Sequence, residues 1–197
     1  MTDTKTETNI KYKTREQWLH AATDVFRTWF EDEDHQVPEE VRLSVGYAKG
    51  AKTNTIGWCY RKSAAEDEIH QIFVSPTLTD AVEVLATLLH ELVHAATDGH
   101  GHDKVFGKVA RALGLTGKLT ATVPSDDLRK ELEDLSKDLG VYPHGKLTHV
   151  VTFKGKHNKY QTKLVCRSCE FEIPSVSRKK LAEWGAPEHC GEEMIEP

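Results

Sequence analysis

Between residues 15 and 31, REQWLHAATDVFRTWFE, apolar side chains recur three and four positions apart: Trp18, Leu19, Ala22, Val25, Phe26 and Trp29. That spacing predicts an amphipathic helix whose aromatic stripe faces a core. The run EDEDH that follows reads as a solvated loop, closed by Pro38. The period then shortens to two. VRLSVGYA (41–48), TIGWCYR (55–61) and EIHQIFVS (68–75) alternate apolar and polar positions between polar or glycine-containing turns, and predict a small antiparallel sheet. After Pro76 the helical period returns. TDAVEVLATLLHELVHAAT starts from a Thr79 or Asp80 cap and is apolar on so many sides that the helix must be buried. DKVFGKVARALG (103–114) is a second helix stopped by Gly114, and SDDLRKELEDLSKDLG is a third. The third has a Ser125 cap, a leucine stripe at 128, 132, 135 and 139, and Gly140 at its end. Alternation resumes in LTHVVTF, YQTKLVC and FEIPSV, followed by a short helix, SRKKLAEW, and a closing PEHCGEEM.

This change of pattern divides the chain into a polar tail (1–13), a main α+β domain (14–143) and a small β-rich module (144–197). Charge divides along similar lines. The chain carries −5 overall, yet residues 144–181 hold nine Lys/Arg against Glu170 and Glu172, which leaves −12 for the remainder. The basic segment could therefore meet a polyanion such as DNA that the rest of the surface would repel. No apolar run approaches the ~20 residues of a membrane span. The polar first residues lack the apolar region of a secretory signal, so a cytoplasmic or nucleoid-associated, non-secreted protein is expected. In that compartment Cys59, Cys166, Cys169 and Cys190 suggest metal before disulfides. Cys59, in the middle predicted strand with no partner nearby, reads as a structural thiol.

The chemistry concentrates in the buried helix. His90 and His94 are four residues apart, so about 40° separates them around the axis and about one turn along it. Two imidazoles so placed can share one Zn²⁺, and Glu91 stands next to them. This is the H-E-x-x-H arrangement, in which the glutamate acts as general base toward a water activated by the metal. Burying two histidines and a glutamate among Leu88, Leu89, Leu92 and Val93 is costly without such a partner. A catalytic site needs a third protein ligand and an open position. The candidates are Asp98, His100, His102 and Asp103. His100 has the spacing of a metzincin ligand, but Thr97 stands where that motif turns on glycine. His102 is the favoured third ligand: Gly99 and Gly101 free the chain before it, and Phe106, one turn later, can anchor the next helix.

HELVHAA, HDKVF and ARALGLTGKLTAT, together with LSVGYAKG, IGWCY and HQIFVSPTLTDAVEV upstream, resemble the SprT-like (Spartan-type) zinc metallopeptidases over roughly residues 15–190. The resemblance implies a minimal zincin-like domain followed by a zinc ribbon. It also implies His90, His94 and His102 as catalytic zinc ligands, Glu91 as catalytic residue, and proteolysis of DNA-associated or DNA-crosslinked proteins. Asp103 departs from the family pattern, which often has glycine after the third histidine. In this chain Gly101 follows His100, so His100 remains the alternative third ligand.

In the C-terminal module Cys166-x-x-Cys169 is the first half of a zinc ribbon. Only His189 and Cys190 are at hand for the second half, which gives a Cys₃His structural site, with His149 or His157 as substitutes for His189. Two zinc ions per chain are thus expected, one catalytic and one structural. The competing reading is a non-proteolytic, zinc-stabilised DNA- or protein-binding module. Glu91 argues against it, because a purely structural site has no use for a base beside its metal.

Overall fold

The computed structural model describes residues 10–50, 54–148 and 160–197. The chain forms two compact units, 1–148 and 149–197, in a mixed α+β architecture. The boundary lies five residues beyond the shift in pattern. Leu147 N–H donates to the Pro76 carbonyl, and Arg15 donates to the carbonyls of Pro143, His144 and Gly145, so 144–148 stays with the first unit.

In the first unit α1 (Arg15–Asp32) starts at Thr14 with a reciprocal capping box to Gln17. It buries Trp18, Leu19, Ala22, Phe26 and Phe30 completely. Strands β1 (Val41–Val45), β2 (Gly57–Tyr60) and β3 (His70–Val74) form one sheet in the order β1-β3-β2. The expected antiparallel sheet is in fact mixed: β3 pairs antiparallel with β2 but parallel with β1. Alternation fixes which face of a strand is buried, as with Val41 and Leu43 or His70, Ile72 and Val74. It carries no information on strand direction, which here follows from the chain crossing from β1 to the far edge before returning through the centre.

Helix α2 (Ala81–Ala96), capped by Asp80, packs against β2, β3, α1, α3 and α4. Val84, Leu85, Leu88, Leu89, Leu92 and Val93 have no exposure at all, each worth about 1.5–3 kcal/mol of transfer from water. Helix α3 (Lys104–Ala112) follows a loop, and a hairpin of β4 (Leu115–Lys118) and β5 (Ala121–Pro124) leads to α4 (Asp126–Leu139). The α4 leucines 128, 132, 135 and 139 are buried as their spacing predicts.

The second unit pairs β6 (Gln161–Val165) with β7 (Glu172–Ser177), adds α5 (Arg178–Trp184), and closes with a two-residue hairpin of β8 (Glu188–His189) and β9 (Glu192–Glu193). Among its described residues the buried apolar cluster is Leu164, Cys166 and Met194, with Ile173, Val176 and Leu181 packed against it. Units of this size have little room for a core and commonly need a staple. Much of LTHVVTF, with His149 and His157, lies outside the described residues. No helix among the described residues is long and apolar enough to cross a membrane.

Candidate metal centres

Helix α2 presents His90 and His94 on the face that meets α3. Asp98 (φ 52°) and Gly99 (φ 74°) turn the chain sharply after α2, and His102 comes back over the two histidines. The Nε2 atom of His102 lies 3.1 Å from that of His90 and 3.3 Å from that of His94. Three nitrogens at ~2.0–2.1 Å from one tetrahedral ion would be about 3.3–3.4 Å apart, so the spacing fits. Phe106, fully buried on α3, lies against all three rings, at centroid distances of 4.9 Å from His90, 4.4 Å from His94 and 5.1 Å from His102.

The outer nitrogens are held. His94 Nδ1–H donates to the His100 carbonyl at 2.7 Å, which leaves its Nε2 a bare lone pair. His90 Nδ1 lies 2.8 Å from the Thr122 hydroxyl on β5. Such contacts orient a ligand ring and fix its tautomer. A single proton on His102 Nε2 could serve only one of its two neighbours, so protons alone leave lone pairs opposed. Adding protons is also unfavourable: burial pushes His90 down to about 3 and His94 down to about 4, and lowers His102. One cation satisfies all three nitrogens at once.

His100 is not part of this group. Its Nδ1 pairs with Asp103 Oδ2 at 2.7 Å, while Asp103 Oδ1 caps α3 by accepting from Val105 and Phe106 N–H. The departure at Asp103 is thus a helix cap. Asp98, the remaining candidate, pairs with Lys62 at 3.0 Å. The group consists of three histidines, and His102 also borders an open depression.

Glu91, one residue after His90, is 6% exposed. Among the described residues nothing donates a hydrogen bond to its carboxylate, and burial raises it to about 8. Room for it comes from β2. A methyl group on Gly57 would collide with the Glu91 Oε1 atom and with Thr87 Cγ2. Cys59, two residues on, is pushed up to about 12 by burial and by the Glu91 charge, and stays a neutral thiol.

In the second unit Cys166, Cys169, His189 and Cys190 bring one ligand atom each within 4.8 Å of one another. His189 Nδ1 is 3.4 Å from both Cys169 Sγ and Cys190 Sγ, and the two sulfurs are 3.6 Å apart. These separations fit the edges of a tetrahedral metal site and lie well beyond the ~2.05 Å of a disulfide. The adjacency of His189 and Cys190 is accommodated by a tight turn. Cys190 (φ 53°) and Gly191 (φ 82°) are both left-handed, as a two-residue type I′ hairpin requires. Phe171 stacks on the His189 ring at 4.6 Å and 15°. The His189 side chain lowers the Cys166 thiol to about 7.

Thr122 and Gly57 are the members of the first site that sequence reasoning missed. LTGKLTATV does carry the alternation of a hairpin, but nothing in it points to His90, 32 positions away. No protein-family model, curated protein or solved structure matches this chain.

Proposed function

We propose that the chain is a zinc-dependent metallopeptidase of SprT-like type, a minimal zincin-like domain followed by a zinc-ribbon-like module. The observation that carries the reading is the contrast between its two ligand groups. One gathers three histidines, of which His102 borders a depression, with Glu91 next to His90 in the chain; the other gathers four ligand residues. Three protein ligands suit catalysis and four suit structure.

His90, His94 and His102 would hold the catalytic zinc, and Cys166, Cys169, His189 and Cys190 the structural one. Zinc, when bound, acidifies water and polarises a substrate carbonyl. Glu91 takes the proton of the attacking water and passes it to the departing amine. In the metal-free chain burial raises this carboxyl above the ordinary glutamate range. Thr122 and the His100 carbonyl keep the imidazole Nε2 atoms facing inward, and Phe106 keeps the three rings together.

The reading extends to substrates associated with DNA. Support comes from Tyr160, Phe171 and Trp184 on the surface of the second unit, with Lys180 over the Trp184 ring at 5.3 Å; exposed aromatics and cations suit single-stranded nucleic acid. Of the segment's basic residues, Lys163 and Arg178 are paired with Glu172 and Glu196, and Lys154, Lys156 and Lys159 lie outside the described residues.

Metal content and cleavage of an unfolded protein test the proposal together. Two zinc ions per chain are expected, one lost in His94→Ala and the other in Cys166→Ser. Glu91→Gln should keep both ions and the fold but lose cleavage, and single-stranded DNA should stimulate the unmutated chain. If the unmutated chain and Glu91→Gln are equally inert on every protein tried, with and without DNA, the binding-module reading replaces this one.

A further inference from the structure

The depression beside the histidine group has a volume of ≈ 550 Å³ and is lined by His102, Asp103, Lys104, Lys108, Arg111 and Leu119. Half of that lining is cationic. Lys104, Lys108 and Arg111 lie four and three positions apart on α3 and so share one face of the helix. At ~1.5 Å per residue they extend over about 10 Å, the length of roughly three residues of extended peptide at ~3.3 Å each. The row begins at Lys104, two residues after His102.

These charges have no acidic partner. Among the described residues no carboxylate stands within 4 Å of Lys104, Lys108 or Arg111. Arg111 Nη1 donates only to the Gly107 carbonyl, at 3.0 Å. Asp103, the acidic member of the lining, has both oxygens engaged, by His100 and by the α3 cap. Nor does the row follow from composition, since residues 10–148 hold 17 Lys/Arg against 22 Asp/Glu. A row of cations without acidic partners, in an acidic unit and lining the same depression as a candidate metal ligand, is matched to an anionic group delivered there.

We infer that this depression is a substrate subsite for acidic peptide side chains. It takes aspartate or glutamate within about three residues of the bond to be cut, with the carboxylates on Lys104, Lys108 and Arg111 and the aliphatic portions against Leu119. The inference rests on the peptidase reading and adds its specificity. A peptide fits better than a nucleic acid, because the depression is small, includes the apolar side chain of Leu119, and lies in a unit of net negative charge that repels a polyanion.

The test is fluorescence anisotropy on the zinc-loaded full-length chain carrying Glu91→Gln, with labelled hexapeptides that differ only in glutamate or glutamine at three successive positions. The glutamate peptide should bind about tenfold tighter, as expected of two or three exposed ion pairs. The ratio should shrink between about 50 and about 300 mM salt and vanish in Lys104→Glu/Lys108→Glu. Zinc content and melting temperature establish that the variant is folded, and Lys108→Gln should give an intermediate ratio. Equal affinity for the two peptides overturns the inference, as does a glutamate preference that survives charge reversal. It also falls if a single-stranded oligonucleotide binds more tightly than the glutamate peptide with the same lysine dependence. Cleavage of unfolded protein by the unmutated chain is read separately. Selectivity without cleavage sinks the peptidase reading alone; cleavage without selectivity sinks this inference alone.

Discussion

Replacing Gly57 by alanine is the sharpest perturbation available at the Glu91 carboxylate, because it adds one methyl group on a different element. The glycine φ is not left-handed, so alanine meets no backbone strain, only the overlap with Glu91 Oε1 and Thr87 Cγ2. Glu91 is the far end of a flexible side chain and gives way first. Turning it about 30° from its rotamer costs about 0.5–1.5 kcal/mol, and crowding Thr87, itself buried, brings the total to about 1–3 kcal/mol. At roughly 2–4 °C per kcal/mol for a chain of this size, the melting temperature should fall by several degrees. His90, His94 and His102 are untouched, so zinc affinity should change by less than about threefold. Cleavage should drop by about a hundredfold, the order expected when a reacting group is displaced by about 1 Å. The assay is cleavage of a quenched peptide at matched zinc occupancy, beside a chelator-competition titration. A Gly57→Ala protein that is fully active with normal zinc would refute the assignment of Glu91 as base; one that loses zinc and activity in proportion would refute the separation of ligand and base.

Thr122→Val removes the partner of His90 Nδ1 and should weaken zinc binding about 10–100-fold, or about 1.4–2.7 kcal/mol, with Thr122→Ser restoring it; unchanged affinity in the same titration would mean the hydroxyl does not hold the ring. Arg15→Met leaves the carbonyls of Pro143, His144 and Gly145 without the Arg15 donor and Pro76 with Leu147 alone; urea unfolding should show a loss of about 1.5–3 kcal/mol, and a loss under about 1 kcal/mol would mean that these bonds do not hold 143–145 to the first unit. The metal-free chain should have a melting temperature that peaks near pH 6.5. As pH falls below the ordinary histidine value of 6.5, the unfolded chain takes up protons that His90 (about 3) and His94 (about 4) refuse in the fold, so stability is lost on the acid side. As pH rises from 4.5 through about 8, the unfolded chain releases the Glu91 proton that the fold retains, a loss that outweighs the histidine gain above about 6.5; Glu91→Gln should flatten the alkaline limb and steepen the acid limb above 4.5, and a monotonic profile for the unmutated chain would show the assignments wrong.

The legible parts were those set by local spacing. His90 and His94 share a face because a helix has 3.6 residues per turn, and the α4 leucines are buried for the same reason. His102 could be preferred over His100 because Phe106 lies one turn beyond it; that His102 gathers with His90 and His94 while His100 pairs with Asp103 is visible only once α3 has formed. Strand alternation identified the buried face of β1 and β3 and missed their parallel pairing, since direction depends on where the chain crosses. Thr122 and Gly57 were illegible because each acts on α2 from another element through packing alone. The adjacent ligands His189 and Cys190 looked awkward as a dipeptide; the left-handed turn that reconciles them reads as Cys-Gly only after the hairpin is seen.

The bond from His94 to the His100 carbonyl ties two ends of one loop. The segment leaves the helix at one ligand, anchors that ligand's ring with its own main chain, and two residues later delivers the next. The bond closes a ring of seven residues, 94–100, with His102 two residues beyond it, so the length cannot drift: one inserted residue would both free His94 and displace His102.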